Sequence, residues 1–365
     1  MNDNKIRVAQ IIGRVNEGGI EGVISSLCEN IDHSKVAIDF YACGSCNQLN
    51  KEKVEKYGGR FFQIPPYKKL GKFKKALREA FKNNHYDIVH SNMNSLNFLA
   101  LGVAKKAGIK VRIAHSHSTS NKKEFIHHII KSFLKPFAKK GATHFFACSK
   151  LAGDWLFGKK TKYYLINNGA DFSRFAFNNV KREEIRKELD IDSSSKVLGH
   201  IGRLEPQKNH FFLLKIYEEV LKTNPNTYLI LIGKGKLKDK ILSYISSHNL
   251  DKVKFLDTIS RPEDYYQAMD AFILPSLYEG LPVVGSEAQV NQLKCFFSDE
   301  ITKEAKLIDS TEFISIKKGE KPWAESINKF LASNIIREKE KVNDSYDIKN
   351  VSKYLLSLYQ EFLKQ

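Results

Sequence analysis

Apolar, strand-like runs alternate with helix-like segments twice along this chain, which points to an α/β protein of two domains. The alternation is that of a parallel sheet with helices on both faces. A polar, charged stretch over residues 172–195 separates the two series. At 365 residues the chain is too long for one typical core, and 42% hydrophobic with 11% aromatic content is that of a folded globular protein.

The first series begins with a strand over Arg7–Ile12, a loop over Gly13–Gly19 and a helix over Ile20–Ile31. Gly18 and Gly19 open that helix, where a backbone without Cβ atoms lets a ligand approach and the helix N-terminus favours an anion. G-x-G-x-x-G is absent, so this is not the dinucleotide fingerprint. Further strands are expected over Ala37–Ala42, Phe61–Pro65, Asp87–Asn92, Lys110–Ser116, His144–Ser149 and Tyr163–Asn167. Ala114-His115-Ser116-His117-Ser118 closes one of them, on the strand edge where open parallel sheets bind ligands. A histidine there can hydrogen-bond a substrate hydroxyl or stabilise a developing charge, or form a structural pair; zinc would need more ligands. Asn167-Asn168-Gly169-Ala170-Asp171 then turns the chain out of the first sheet, and the domain crossing is expected within 172–195. Asp190-Ile191-Asp192 has the Asp-x-Asp form of metal-dependent sugar transferases, but it sits in this linker rather than at a strand end.

The second series places strands at Val197–Gly202, Thr227–Ile232, Val253–Leu256 and Ala271–Leu274, and helices at His210–Lys222 and Glu263–Met269. Asn209 is the expected N-cap of the first of these helices. Gly233-Lys234-Gly235 stands at another helix start. After Leu274 the stretch from Pro275 to Glu287 runs through a short loop into a helix beginning near Leu281–Pro282, since proline suits a first helical turn. That loop brings Glu279 and the N–H groups of Gly280 and Leu281 to a helix N-terminus, and Glu287 follows about two turns on. Arg203 and Lys208 leave the preceding strand at the same rim. Two cations and two carboxylates so placed suit a ligand with a central diphosphate and hydroxyl-bearing sugars at both ends.

Charge is uneven. Residues 1–175 hold 30 Lys+Arg against 13 Asp+Glu, which is +17 of the chain's +18. One domain therefore suits an anionic surface. Residues 67–84 set Leu70, Phe73, Leu77 and Phe81 opposite Lys68, Lys72, Lys75 and Lys82. Residues 122–140 set Ile126, Ile129, Ile130, Phe133 and Phe137 apart from Lys131, Lys135 and Lys139, with Lys122, Lys123 and Lys140 alongside. Each is either an ordinary amphipathic helix on the sheet or a face for an anionic membrane. No nucleic-acid module is evident. No apolar run reaches the ~18–20 residues that span a bilayer, and Met1–Ile12 lacks signal-peptide character, so a cytoplasmic chain is expected. The five cysteines are scattered, which fits reduced thiols; Cys43-Gly-Ser-Cys46 reads as two loop cysteines.

Taken together, Gly18-Gly19, His115-Ser116-His117, Cys148-Ser149-Lys150, Asn168-Gly169, Gly202-Arg203-Leu204 with Gln207-Lys208-Asn209, Leu274-Pro275-Ser276, and Glu279-Gly280-Leu281-Pro282 with Glu287-Ala288 resemble glycosyltransferase family 4. The resemblance covers nearly the whole chain and is strongest to bacterial members that build exopolysaccharide or capsule. It implies the GT-B fold, two Rossmann-like domains facing across a cleft. An acceptor-binding domain would span 1–170 and a nucleotide-sugar domain 171–346. The helix 347–365, with Val351, Tyr354, Leu355, Leu358, Tyr359 and Phe362 at helical spacing, would cross back to the first domain.

The resemblance also implies roles. Glu287 would hold the nucleotide ribose, and Glu279 with the backbone of Gly280 and Leu281 the donor sugar. Arg203 and Lys208 would neutralise the leaving diphosphate, with Gly18, Gly19 and Gly233 near the nucleotide. His117 and His115 would contact the sugar at the reacting carbon. Catalysis would rest on orientation and leaving-group stabilisation, with anomeric retention, no cofactor and no metal. A nucleotide-diphosphate sugar, a UDP-sugar first, would be donor and a lipid-linked glycan the acceptor. A nucleotide-sugar epimerase and a non-catalytic partner subunit remain as alternatives. Two departures from the family stand out: Gln292-Leu293-Lys294 where a Gly-Leu-Pro-type turn is usual, and Lys234 where an acidic residue is common.

Overall fold

A computed structural model describes residues 5–14, 19–43, 48–117, 133–257, 259–333, 335, 337 and 339–365. The chain forms two compact units, one of Met1–Gly169 with Asp344–Gln365 and one of Ala170–Asn343. Gly18 lies outside the described residues, as do Cys46, Lys122, Lys123, Ile126, Ile129, Ile130 and Lys131.

The first unit holds β1 (Ile6–Arg14), α1 (Gly19–Asn30), β2 (Val36–Cys43), α2 (Gln48–Lys56), β3 (Phe61–Ile64), α3 (Leu70–Asn83), β4 (Ile88–Asn92), α4 (Asn97–Lys106), β5 (Val111–Ser116), β6 (His144–Ala147), α5 (Lys150–Phe157) and β7 (Tyr164–Leu165). Its sheet runs β3-β2-β1-β4-β5-β6-β7, and all pairings are parallel. Such strands are covered on both faces, which is why they read as apolar runs rather than alternating ones. Phe73, Leu77 and Phe81 of α3 are buried against this sheet, each contributing about 1.5–3 kcal/mol. That face of α3 is therefore core. Its lysines, Lys68, Lys72, Lys75 and Lys82, are exposed.

The expected helix over 122–140 does not extend through its described end. Lys135–Phe137 is a 3-10 turn, with Pro136 at its start removing a backbone donor, and a turn follows it. Cys43 ends β2 and is buried, not in a loop; burial pushes its thiol up to about 11.

The second unit holds α6 (Phe172–Phe175), α7 (Asn179–Glu188), β8 (Lys196–Ile201), α8 (His210–Leu221), β9 (Thr227–Ile232), α9 (Lys238–Ser247), β10 (Val253–Leu256), α10 (Pro262–Ala268), β11 (Ala271–Leu274), α11 (Val283–Val290), β12 (Lys294–Ser298), β13 (Glu312–Ile314) and α12 (Lys321–Leu331). Its parallel sheet runs β10-β9-β8-β11-β12-β13. The polar stretch 172–195 is not a linker. It carries α6 and α7, capped by the side chains of Asp171 and Asn178. Arg186 is buried and donates to Asp270 at 2.9 Å, while Arg182 pairs with the same carboxylate. Both also reach carbonyls at the C-terminal end of α10, where cations complement the helix dipole.

The chain ends in α13 (Ile348–Phe362), which belongs to the first unit. Asp347 caps it through the N–H of Lys349 at 3.1 Å. Its buried face, Val351, Leu355, Leu358, Tyr359 and Phe362, matches the helical spacing. Ser352 donates to the Leu27 carbonyl of α1 at 3.0 Å, and Phe362 stacks on His144 with ring centroids 3.7 Å apart.

Candidate active site

In each sheet the strand order reverses beside the first strand, at β1/β4 and at β8/β11. Ligands of open α/β sheets bind at such points, outside the strands' carboxyl ends. Each unit gathers its unusual polar residues there.

In the second unit, β8 delivers Gly202-Arg203-Leu204 and the 3-10 turn Pro206–Lys208, while β11 delivers Pro275 to Glu279. The two loops are stitched together. Leu277 N–H donates to the Gln207 carbonyl at 2.8 Å, and the Gln207 side chain donates to the Tyr278 carbonyl at 3.0 Å. Asn209 sits at the start of α8 in the left-handed region, φ 59°, and its side chain donates to the Pro275 carbonyl at 3.2 Å. It thus ties the loops together and caps nothing, because its side chain points across to β11's loop.

The stitching fixes Lys208 Nζ at 2.7 Å from Glu279 Oε1, with each side chain 11% exposed. The contact is one of charge; Glu279 Oε1 has no aligned hydrogen-bond donor. Beneath Lys208 lie the buried rings of His200 and His210, perpendicular at 4.9 Å. His200 Nδ1 must carry a proton, since it faces the Ile273 carbonyl at 2.8 Å. Burial and the nearby lysine push His200 down to about 3. Two neutral rings therefore support the ammonium without competing for Glu279. Arg203 is exposed on the same loop, 3.5 Å from Gln207 Oε1.

Gly233 shapes the rim through packing. A Cβ there would sit 1.9 Å from the Gly202 carbonyl oxygen, and one on Gly235 2.6 Å from the Leu204 oxygen. Leu204 N–H donates to the Lys234 carbonyl at 2.8 Å, so the Gly233-Lys234-Gly235 loop braces the Arg203 loop. Lys234 itself is exposed.

Pro282 is the cap residue of α11, whose first helical residue is Val283, one or two positions later than expected because Pro282 keeps an extended ψ of 115°. Glu279 bridges Ile301 in parallel fashion, and Gly280 and Leu281 complete the approach to the helix. Glu287, inside α11, lies 2.9 Å from the hydroxyl of the buried Tyr266. Desolvation pushes its carboxyl up to about 7, against the Tyr266 hydrogen bond and the charge of Arg174. Gln292 adopts φ 63° where glycine would be strain-free, and its amide is held by the backbone of Glu340.

In the first unit, Gly19 is the first residue of α1. His115 and His117 are 2% and 4% exposed, at the end of β5, with ring centroids 3.8 Å apart. They belong to a buried network with Gln10 of β1, His90 and Asn92 of β4 and Tyr359 of α13. Burial drives His90 and His117 down to about 3 and His115 well below its usual value, so all three are neutral at pH 7. Gln10, His90, Asn92 and Tyr359, like His200 and Tyr266, escape a sequence reading. One signal was available: Gln10 and His90-Ser91-Asn92 are polar residues inside strands otherwise built of buried apolar ones. Among the described residues no group of three or more His, Cys, Asp or Glu is arranged to hold a metal ion.

Fold and rim together define a transferase of the GT-B type, and comparison with known proteins agrees. A profile described as Glycosyltransferase Family 4 matches residues 17–174, and one described as Glycosyl transferases group 1 matches residues 181–345. The putative glycosyltransferase EpsF of Bacillus subtilis is 32% identical over 91% of this chain and 90% of its own. The capsular polysaccharide biosynthesis glycosyltransferase CapH of Staphylococcus aureus is 26% identical over 97% of this chain and 98% of its own. An Escherichia coli UDP-Gal:alpha-D-GlcNAc-diphosphoundecaprenol alpha-1,3-galactosyltransferase is 28% identical over 61% of this chain and 60% of its own. The crystal structure of Anabaena HepE in complex with UDP-glucose superposes with a TM-score of 0.75 over 99% of this chain and 98% of its own; at 15% identity it speaks to the fold. The chain belongs to this glycosyltransferase family and is a transferase enzyme.

Proposed function

We propose that the enzyme moves a hexose-type sugar from a UDP-sugar to a lipid-linked glycan, with retention at the anomeric carbon, in exopolysaccharide or capsule synthesis. One observation carries the reading: a lysine and a glutamate nearly buried together at the switch point of the second sheet. Charges are costly to hold out of water, and an aimed pair on a ligand-binding rim is where a diphosphate and sugar hydroxyls would be met.

In this reading Glu279, with the backbone of Gly280 and Leu281, takes the donor sugar's hydroxyls. Arg203 and Lys208 take the diphosphate, and Lys208 exchanges Glu279 for phosphate oxygen as negative charge develops. Glu287 accepts from the ribose hydroxyls, while Gly233 lines the nucleotide's path. His117, with His115 behind it, meets the sugar near the reacting carbon. The C–O bond to the diphosphate breaks as the acceptor oxygen bonds to the same face of that carbon, and the departing phosphate takes the acceptor's proton. The two cations supply the leaving-group charge, so the reading needs no metal and no cofactor. Names of the E. coli and S. aureus relatives support the lipid-linked acceptor and the capsule context, and the HepE complex supports UDP-glucose-like donors.

The enzyme is further read as working at the inner membrane face. Among the described residues no helix is long and apolar enough to cross a membrane. Phe133 and Phe137 are 73% and 42% exposed beside Lys135, Lys139 and Lys140, an aromatic and basic pairing suited to an anionic lipid surface. The function is tested by offering purified enzyme UDP-glucose, UDP-galactose and UDP-N-acetylglucosamine with undecaprenyl-diphosphate-linked sugar. Acceptor-dependent UDP release with an α-linked product supports it; epimerised donor without acceptor, or no turnover, overturns it.

A further inference from the structure

Glu287 sits partly buried on α11, and one of its two oxygens is taken by the protein. Oε2 stands 2.9 Å from the Tyr266 hydroxyl; Oε1 has no partner among the described residues and is left for a ligand. Tyr266 is wholly buried on α10, its ring edge-on to Phe175 and tilted against Phe272, with centroids 5.7 Å away in each case. Arg337 bolts the two helices together at the same end. Its guanidinium donates to the Tyr266 and Gln267 carbonyls at 3.2 and 2.9 Å, and to the Asn291 carbonyl just after α11 at 3.4 Å. The spacing of Tyr266 and Glu287 is thus fixed by the helices that carry them.

The Tyr266 hydroxyl has one proton and two acceptors in reach, Glu287 Oε2 and the Val284 carbonyl at 3.1 Å. That carbonyl lies inside α11, where it also serves the helix ladder. When Glu287 is ionised the proton goes to the carboxylate, because charge-assisted hydrogen bonds are the stronger ones. When Glu287 carries its own proton, it donates to the tyrosine oxygen, and the tyrosine proton turns to Val284. The contact lasts in both states and favours the charged one. Two other charges act on Glu287 in opposite senses. Arg174 of α6 favours its ionised form and Glu263 of α10 opposes it, and these two pair with each other at 2.8 Å. Cys295 of β12, the other titratable group near Tyr266, is kept neutral by burial.

We propose that Tyr266 is the positioning residue of Glu287, holding Oε2 so that Oε1 is presented, charged, to the ribose hydroxyls of the donor. The proposal rests on the reading that Glu287 takes the ribose. Tyr266 acts through the carboxylate and not on the donor itself.

The test is calorimetric titration of UDP-glucose into the full-length enzyme between about pH 6 and pH 9, with the Glu287 carboxyl followed by 13C NMR. Tyr266→Phe keeps the buried ring and removes the hydroxyl. It should weaken UDP-glucose about tenfold at pH 7.5, the loss of one hydrogen bond to a charged group, and raise the Glu287 titration midpoint by about one pH unit. In a Glu287→Ala background the same substitution should change affinity by less than about twofold. Tyr265→Phe, next to it on α10 and bonded to Glu188, should change neither value. If Tyr266→Phe does not fold, the Tyr266 hydroxyl proton of the wild type is followed instead and should move downfield as Glu287 ionises. An unmoved midpoint, a loss of affinity that persists without the carboxylate, or a hydroxyl proton that ignores the Glu287 titration would each overturn the proposal. Failure of UDP-glucose to bind, or wild-type affinity in Glu287→Ala, would overturn the ribose reading instead, and the carboxyl titrations of wild type and Tyr266→Phe would still decide whether Tyr266 holds Glu287.

Discussion

Lys208 Nζ stands 2.7 Å from Glu279 Oε1, and both side chains are 11% exposed. The two residues come from different strand ends and meet because Gln207 and Asn209 clamp one loop to the other. Removing one partner from such a pair strands the other charge in a poorly solvated place, while removing both does not. Lys208→Met should cost up to about 3 kcal/mol of the second unit's stability, and Lys208→Met with Glu279→Gln should recover part of that loss. Urea unfolding of the single and double variants measures it.

Glu287 should make donor binding depend on pH. Its carboxyl is raised from 4.5 to about 7 in the fold, so the protonated form is the one folding favours. The stability this group contributes is full below about pH 4.5 and is lost as pH rises through 7. Under the proposed role of Glu287, in which the ionised form accepts from the ribose hydroxyls, binding should run the other way. UDP-glucose, which has no group titrating nearby, should bind about tenfold tighter at pH 8 than at pH 6, and Glu287→Gln should flatten that dependence. Calorimetric titration at the two pH values checks it.

The buried histidines set an acid limit. His90, His115 and His117 titrate well below the 6.5 of an unfolded chain, and His200 and His210 do so in the second unit. For a base with a depressed pKa, stability is whole above the unfolded value and drains as pH falls toward the folded one. Stability should therefore begin to fall as pH drops below about 6, where these rings would be charged in the unfolded chain. Denaturant midpoints from pH 7.5 to 4.5 should fall steeply, and His90→Gln should lessen the slope by about one proton.

Membrane contact should be electrostatic. Lys135 and Lys139 flank exposed Phe137, and each basic group near an anionic surface contributes about 1 kcal/mol. Lys135→Glu with Lys139→Glu should weaken binding to phosphatidylglycerol vesicles about thirtyfold or more at low salt. Vesicle sedimentation across a salt series checks this; binding that ignores salt, or none, would contradict it.

Much of the fold was legible because parallel strands are buried on both faces. Thr227–Ile232, Val253–Leu256 and Ala271–Leu274 are found where their apolar runs end. The strands β12 and β13 were not legible. One is bracketed by Lys294 and Ser298, and the other has three residues, too few to show a period. Helices α6 and α7 hid in a polar stretch because Arg174 of α6 pairs with Glu263, and Arg182 and Arg186 of α7 serve Asp270 and a helix end instead of an apolar face. Arg203, Lys208 and Glu279 were visible as charges at strand ends, and Glu287 as a carboxylate in the helix that follows. The network behind His117 was not, because its links are tertiary: Gln10 and Tyr359 are 349 positions apart. Asn209 had the right residue type for a cap, yet the Pro275 carbonyl captured its amide.

The most direct test of the catalytic rim is UDP release by Glu279→Ala and Lys208→Ala with whichever donor and lipid-linked acceptor the wild type uses. Each folded variant should lose at least a hundredfold in kcat/KM, as expected when a charge aimed at the leaving group or donor sugar is removed. Wild-type-like turnover in either variant would contradict the account.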